Sequence, residues 1–246
     1  MKNSVIYFFI LFLLSTFLIS CDSSTNNSND ISINYLYDEA VIDAMIADSS
    51  EISHNLIPIV KDNEFLTWKT INNKDYVLAV TYTKYNASYP LGDTVELKWG
   101  NVWISLAPEL RNRISGINYS NDSLLSLRIH QLLGLPFKYE KKYIVEFWVS
   151  PEDMFRASAD SEITDNTAGL YFPDNVSAEY KSWFNSNIIS SYFPGTATLR
   201  YPWTRLGYTY DWGNPKNEFG VSEFIVKKDA KVIVENVKTQ QEYFVK

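Results

Sequence analysis

The chain has 246 residues, with 22 Lys and Arg against 29 Asp and Glu, a formal net charge of −7 and one cysteine. This length suffices for one domain with a substantial core. The acidic balance argues against a nucleic-acid partner, because a phosphate-binding face needs concentrated Lys and Arg. A single cysteine excludes an internal disulfide framework and a cysteine-based zinc site.

The first residues have the parts of an export signal. Lys2 supplies the positive region, and an almost wholly apolar run covers residues 4–17. This run is too short for the usual spanning helix of about 20 residues. The segment from Leu18 through Ser20 to Cys21 resembles the signal of bacterial lipoproteins. That resemblance implies cleavage after Ser20 and lipid attachment at Cys21.

Lipidation would tether the mature protein to a membrane surface, outside the cytoplasm. Acyl chains contribute roughly 0.8 kcal/mol per buried methylene, and two or more chains anchor a protein stably. The polar residues that follow offer almost nothing to bury, which predicts a flexible tether. We therefore expect a signal peptide over 1–20, a lipidated tether over 21–34 and one globular domain over 35–246. Which membrane leaflet carries the anchor stays open.

The domain is predicted to begin with a short helix. Asp38 suits the N-cap of a helix over residues 39–47. Helical spacing places four apolar residues on one face of it, namely Val41, Ile42, Met45 and Ile46.

Two hairpins are predicted next. Residues 64–71 and 75–82 are rich in β-branched and aromatic residues and flank an Asn-Asn turn. Apolar and polar residues then alternate over 95–99 and again over 102–106. Gly100 and Asn101 separate these two runs, which is typical of a two-residue hairpin loop.

The middle of the chain predicts two helices. Pro108 suits the first position of a short helix that ends at Arg113. A second helix is predicted to open at Asn121 or Asp122 and to end at Leu133, before a glycine and a proline.

The last hundred residues alternate strands and helices. A strand is predicted over 143–149, and residues 150–153 resemble a capping box that opens a short helix. A longer helix is predicted over 177–190. Strands over 221–226 and 231–237 are expected to form a terminal hairpin. Because strands and helices come in blocks, the sequence predicts an α+β domain with a mainly antiparallel sheet and several short helices.

Residues 200–213 form the segment that is richest in aromatic residues, with five of them from Tyr201 to Trp212. The alternation of rings changes near Gly207, which predicts a bulge or bend there. Flat rings beside an Arg and an Asp suit a sugar ring or a peptide. The candidate ligand-binding surface comprises Trp203, Arg205, Tyr208, Tyr210, Asp211 and Trp212. The open alternative is that these rings fill the core and that Arg205 pairs with Asp211.

Three carboxylates cluster in a predicted loop, at Asp160, Glu162 and Asp165. Oxygen ligands of this kind suit a hard cation such as calcium, although the spacing does not match an EF-hand. A solvated acidic loop is the alternative, and no cofactor is expected. The same residues could also act as paired carboxylates in glycoside hydrolysis.

Motifs of established chemistry are missing from the sequence. It contains no histidine pair at zinc-binding spacing, no Gly-x-Ser-x-Gly elbow and no glycine-rich phosphate loop. The segments 146–156 and 201–215 are similar to uncharacterised exported bacterial proteins, a resemblance that implies no activity.

The sequence therefore favours a membrane-anchored extracytoplasmic binding or accessory protein whose partner is a glycan, a peptide or an envelope protein. One alternative is a hydrolase of an envelope glycan or peptide, with its acid and base among four carboxylates: Asp160, Glu162, Asp165 and Asp211. A second alternative is a structural envelope component that binds another protein.

Overall fold

A computed structural model describes residues 28–115, 121–138, 140–196, 199–214 and 216–245, with side chains from residue 33 onward. The predicted signal and Cys21 lie outside this part of the chain. Residues 28–34 of the predicted tether are described, and they form the beginning of a helix.

Within these ranges the chain forms five α-helices and ten β-strands. The helices are α1 (Ser28–Ala44), α2 (Ala107–Ile114), α3 (Asp122–Leu132), α4 (Ala178–Tyr192) and α5 (Gln240–Phe244). The strands are β1 (Trp68–Ile71), β2 (Lys74–Thr83), β3 (Thr94–Glu96), β4 (Val102–Leu106), β5 (Tyr143–Val149), β6 (Met154–Arg156), β7 (Tyr208–Tyr210), β8 (Phe219–Ser222), β9 (Phe224–Val226) and β10 (Lys231–Thr239).

The strands build one large sheet in the order β3-β10-β5-β2-β4-β9-β6, with β1 also paired to β2. β7 and β8 form a separate two-stranded sheet. Every strand pair is antiparallel. The chain is therefore α+β with an antiparallel sheet, which confirms the predicted fold class.

Side chains alternate between two cores on opposite faces of the large sheet. Val77 and Ala79 of β2 face a core that they share with residues of β4, β5, β9 and β10. Val80, the residue after Ala79, faces the helices and packs with Leu110 of α2 and Ile129 of α3. α1 and α4 form a further aromatic cluster beyond this layer.

Elements with strong local signals were predicted correctly. α2, α3, α4 and β5 lie where their patterns placed them, and the side chains of Asn121 and Ser177 cap α3 and α4. The β1–β2 hairpin is present, and Asn72 and Asn73 adopt the left-handed backbone (φ 51° and 62°) that a two-residue hairpin turn requires.

The prediction for α1 was wrong about the residue at which the helix begins and about the face that it buries. The helix begins at Ser28, so Asp38 lies inside it and does not cap it. Val41 is buried, but Ile42 and Ile46 are 53% and 78% exposed. The small residues beside Val41 pack against the domain instead, because they allow a closer approach to α4 and the 201–210 segment.

The hairpins predicted after the first one were also wrong. β3 pairs with β10, and β4 pairs with β2 and β9. β10 pairs with β3 and β5 and does not return along β9. Long ladders between distant strands thus prevail over local turns. Ser150 makes no side-chain cap, and only a single 3₁₀ turn, Pro151–Asp153, follows it.

Asp211 connects the helical layer to the small sheet. Its side chain is fully buried, and Arg128 of α3 donates to both carboxylate oxygens at 2.6 Å. Arg113 of α2 lies 3.6 Å from the same carboxylate and donates to the carbonyls of Phe219 and Gly220. Bidentate guanidinium–carboxylate pairs of this kind fix both position and orientation.

We predict that Asp211→Ala lowers the free energy of unfolding by about 3 kcal/mol, because it leaves two arginines without their buried counter-ion. Asp38→Ala is the matched control, since Asp38 pairs with Arg200 at 2.7 Å but its side chain is 56% exposed. That change should cost less than about 1 kcal/mol. Urea unfolding measures both, and equal costs would contradict the role assigned to Asp211.

Candidate functional site

The predicted aromatic surface is mostly core. Trp203, Tyr208, Asp211 and Trp212 are each at most 5% exposed, so they do not form an exposed surface. Trp212 donates from its indole nitrogen to the carbonyl of Leu135 at 3.0 Å. Buried rings with satisfied polar atoms are typical of a packed core.

Arg205 does not pair with Asp211 either. It donates to the carbonyls of Ala44 and Met45 and lies over the ring of Tyr192. The cause is the bend that the sequence predicted near Gly207, where φ is +78°. This bend turns the chain back on itself and directs Arg205 toward the end of α1.

The acidic loop is organised by a buried arginine. Arg156 is fully buried and donates to the carbonyls of Glu162 and Asp165 at 2.9 and 2.8 Å. The carboxylate of Glu162 accepts from the amides of Thr164 and Asp165, while Asp160 accepts from the amide of Glu162. In the described ranges no three acidic, histidine or cysteine side chains are grouped to hold a metal. The structure thus offers the predicted cation site no support.

A cavity of about 840 Å³ lies where the large sheet divides. β2 and β4 pair at Ala79 with Leu106. They pair once more at Val80 with Ser105, and their register continues no further. Beyond that point β2 follows β5 and β4 follows β9, so the two strands part.

The large sheet forms one side of the cavity wall, and α4 with the segment after it forms the other. The sheet contributes residues from β2 and β4, including Tyr82 and Trp103. α4 and the segment after it contribute Asn187, Ser190, Ser191, Tyr201, Pro202 and Trp203. At the end where the strands part, the lining residues are exposed: Lys84, Tyr85, Ser88, Trp99 and Asn101. Trp203 and Tyr210 are the two predicted ligand-binding residues that line the cavity.

Glu223 supplies a carboxyl group to the inner end of the cavity. It follows β8 and precedes Phe224, which pairs with Ile104, so Glu223 lies near the point where β2 and β4 meet. Its Oε2 is inaccessible and has no hydrogen-bond partner among the described residues. Burial raises the pKa of this carboxyl well above its ordinary value. The protonated form, which can donate a hydrogen bond, is therefore favoured.

Asn187 of α4 supplies a second unpaired group. Its Nδ2 is inaccessible, and no acceptor for it lies in the part of the chain that the structure describes. Because Asn187 and Glu223 line the same cavity from the helix and from the sheet, two orphaned polar atoms border one space. Such atoms are rare in native proteins and call for an explanation.

Lys141 lines the cavity on the side of β5. Its carbonyl accepts a hydrogen bond from the hydroxyl of Tyr82 at 2.6 Å. Burial lowers the pKa of the Lys141 ammonium to about 8. Burial is also the cause of the raised pKa of Glu223, and the charge of neither group changes the pKa of the other. The two groups therefore do not form an ion pair.

The lining suits binding more readily than two-carboxylate hydrolysis. A volume of this size lies within the range of small-molecule sites, and apolar walls with a few polar groups are typical of them. Among the described lining residues Glu223 is the one carboxylate. Asp211 and the three acidic residues of the loop lie elsewhere, so the predicted acid and base pair is not assembled.

Sequence reasoning missed these polar groups, although two left a signal. Glu223 is a single charge inside the apolar run 221–226, which is unusual for a buried strand. Asn187 follows Trp183 by one helical turn, so it shares a face of α4 with a large apolar ring. Lys141 gave no comparable signal.

Comparison with known proteins gives no relative: no family model, no curated protein and no solved structure matches this chain. A search of the described residues for membrane-spanning helices finds none that is long and apolar enough.

Glu223→Gln should change how stability depends on pH. In the unfolded chain the carboxyl loses its proton above about pH 4.5, whereas the folded protein retains it, so the wild type loses stability as pH rises above that value. The variant lacks this loss. We expect the free energy of unfolding of the variant, relative to that of the wild type, to rise by about 1 kcal/mol between pH 5 and pH 8. Urea unfolding measures this difference. The exposed change Glu64→Gln is the control, and a pH-independent difference would contradict the assignment.

Lys141→Met should change the pH dependence of stability in the opposite direction. The folded protein releases the Lys141 proton above about pH 8 and the unfolded chain only near pH 10.5, so the wild type gains stability between these values. We expect the variant to be more stable at pH 7 by about 1–3 kcal/mol and to lose this advantage by pH 10.5. Thermal unfolding across this range measures it, with the exposed neighbour changed in Lys142→Met as control. An advantage that persists at pH 10.5 would show that Lys141 is not desolvated.

Proposed function

We propose that this protein is a lipid-anchored binding protein of the bacterial cell envelope, facing outside the cytoplasm, that holds a ligand in the cavity between β2 and β4. The observation that carries the proposal is the pair of unpartnered polar atoms, Glu223 Oε2 and Asn187 Nδ2, in one cavity. Each buried polar group without a partner costs about 1–3 kcal/mol. Both atoms are inaccessible in the ligand-free structure, so in this proposal their side chains turn toward the cavity when the ligand binds, and bonding to both then removes that cost.

The aromatic lining supplies the apolar part of the proposed interaction. Trp103 and Trp203 meet edge to face with ring centroids 6.0 Å apart, and both border the cavity. Aromatic side chains offer large rigid surfaces at low entropic cost. With a protonated carboxyl, an amide and the ammonium groups of Lys84 and Lys141 among its polar groups, the cavity favours ligands that combine an apolar surface with hydrogen-bond acceptors.

The membrane anchor is proposed from the signal alone. Cys21 ends a lipoprotein-like segment, and lipid chains there would hold the domain at a membrane surface. In this arrangement the domain binds its ligand outside the cytoplasm.

One alternative function also has support from Glu223. A raised pKa is what a general acid needs near neutral pH. On this alternative the protein would cleave an envelope glycan or peptide in the cavity, with Glu223 in place of the acidic residues that the sequence suggested. Turnover that Glu223→Gln abolishes, with ligand binding retained, would favour it.

Ligand-induced stabilisation tests the binding proposal. The full chain in lipid nanodiscs is unfolded thermally with soluble oligosaccharides, with peptides and with divalent cations, using EDTA as a control. A ligand at a hundredfold excess over its dissociation constant stabilises the native state by about 2.7 kcal/mol, or several degrees of Tm. We expect at least one of these classes to give this shift in the wild type.

Two tryptophan variants on α4 assign the shift to the cavity. Ser190→Trp places a ring in the cavity and should abolish the shift, whereas Asn185→Trp lies on the opposite, exposed side of the same helix and should preserve it. The proposal fails with any of three results: no shift with any class, a shift that survives Ser190→Trp, or a shift that both variants lose equally.

A further inference from the structure

Two strand edges face the cavity without a strand partner. β2 pairs with β5 as far as Thr83, but on its other edge it pairs with β4 no further than Val80. β4 pairs with β9 over Val102–Ile104, and its edge toward β2 has no registered partner there. Residues 81–83 and 102–104 therefore each present one edge to the same space.

Strand edges select a particular kind of ligand. Along an edge, the free N–H and C=O groups recur every second residue, a repeat of about 7 Å. An extended peptide backbone has the same repeat and the complementary donors and acceptors. A sugar ring or a metal ion matches this pattern less well, because neither carries donors and acceptors at that spacing.

We propose that the ligand is an extended peptide segment that adds as a strand between β2 and β4, an inference that rests on the proposed binding function and names its ligand class. Because β2 and β4 are antiparallel, the segment runs antiparallel to one of them and parallel to the other. Three residues on each edge limit the inserted strand to about three residues, or roughly 10 Å.

The two faces of the inserted strand meet different surroundings. By the alternation of strand side chains, Tyr82 and Trp103 lie on the face that α4 covers, together with Asn187 and Glu223. An uncharged polar side chain on that face of the peptide pairs with the carboxyl and the amide, and an apolar one packs on the rings. The site thus suits uncharged polar and aromatic or aliphatic side chains on that face of the peptide.

The experiment is an affinity selection. A fully randomised hexapeptide mixture is incubated with the full wild-type chain in nanodiscs and, in parallel, with Ser190→Trp and Asn185→Trp. Peptides retained by the wild type are identified by mass spectrometry. The most enriched one is then synthesised twice, once with a normal backbone and once with N-methyl groups on its central amides, which removes the backbone donors and keeps the side chains.

The expected result is that the normal peptide binds the wild type and Asn185→Trp at least tenfold more tightly than Ser190→Trp, and that N-methylation weakens binding at least tenfold. Equal binding of the N-methylated peptide, or no enrichment over Ser190→Trp, overturns the inference. If an oligosaccharide instead stabilises the wild type and not Ser190→Trp, the binding function stands and the peptide class is wrong. If no ligand does so, both fail.

Discussion

The structure depends on the division of the sheet between β2 and β4. β2 pairs with β5 along one edge, and along its other edge it pairs first with β1 and then with β4, at Ala79 and Val80. β4 pairs with β2 on one edge and with β9 on the other, and over Val102–Ile104 only the edge toward β9 is paired. The strands part after Val80 and Ser105, and the space between them becomes a cavity. The candidate site is thus a consequence of strand registers that hold the whole fold together.

The cavity lowers stability, and the surrounding fold makes this tolerable. Glu223 and Asn187 each keep a buried polar atom without a partner in the described structure, and Lys141 is desolvated; such groups destabilise a folded protein and are common at functional sites. At Asp211, by contrast, Arg128 occupies both carboxylate oxygens. A rigid frame around an unsatisfied space is the arrangement expected of a binding protein.

The sequence predicted what local interactions decide. β5, α3 and the turn at Asn72 follow from apolar spacing, caps and turn chemistry, all of which act within a few residues. The cavity could not be predicted, because it follows from the pairing of β4 with β9, more than a hundred residues apart. The rings near Trp203 suggested a surface because periodicity shows that rings share a face. It does not show which other parts of the chain cover that face. Glu223 gave the clearest warning, as a charge in the apolar run 221–226.

Amide hydrogen exchange, resolved by NMR, tests the division of the sheet most directly. In ligand-free protein, the account predicts that the alternate amides of residues 81–83 and 102–104 that face the cavity exchange at least tenfold faster than those of Val145–Val149 in β5. β5 is flanked by β2 and β10, so its amides are paired on both edges. Uniform protection across β2, β4 and β5 would show that the strands remain paired, and it would contradict the site and everything inferred from it.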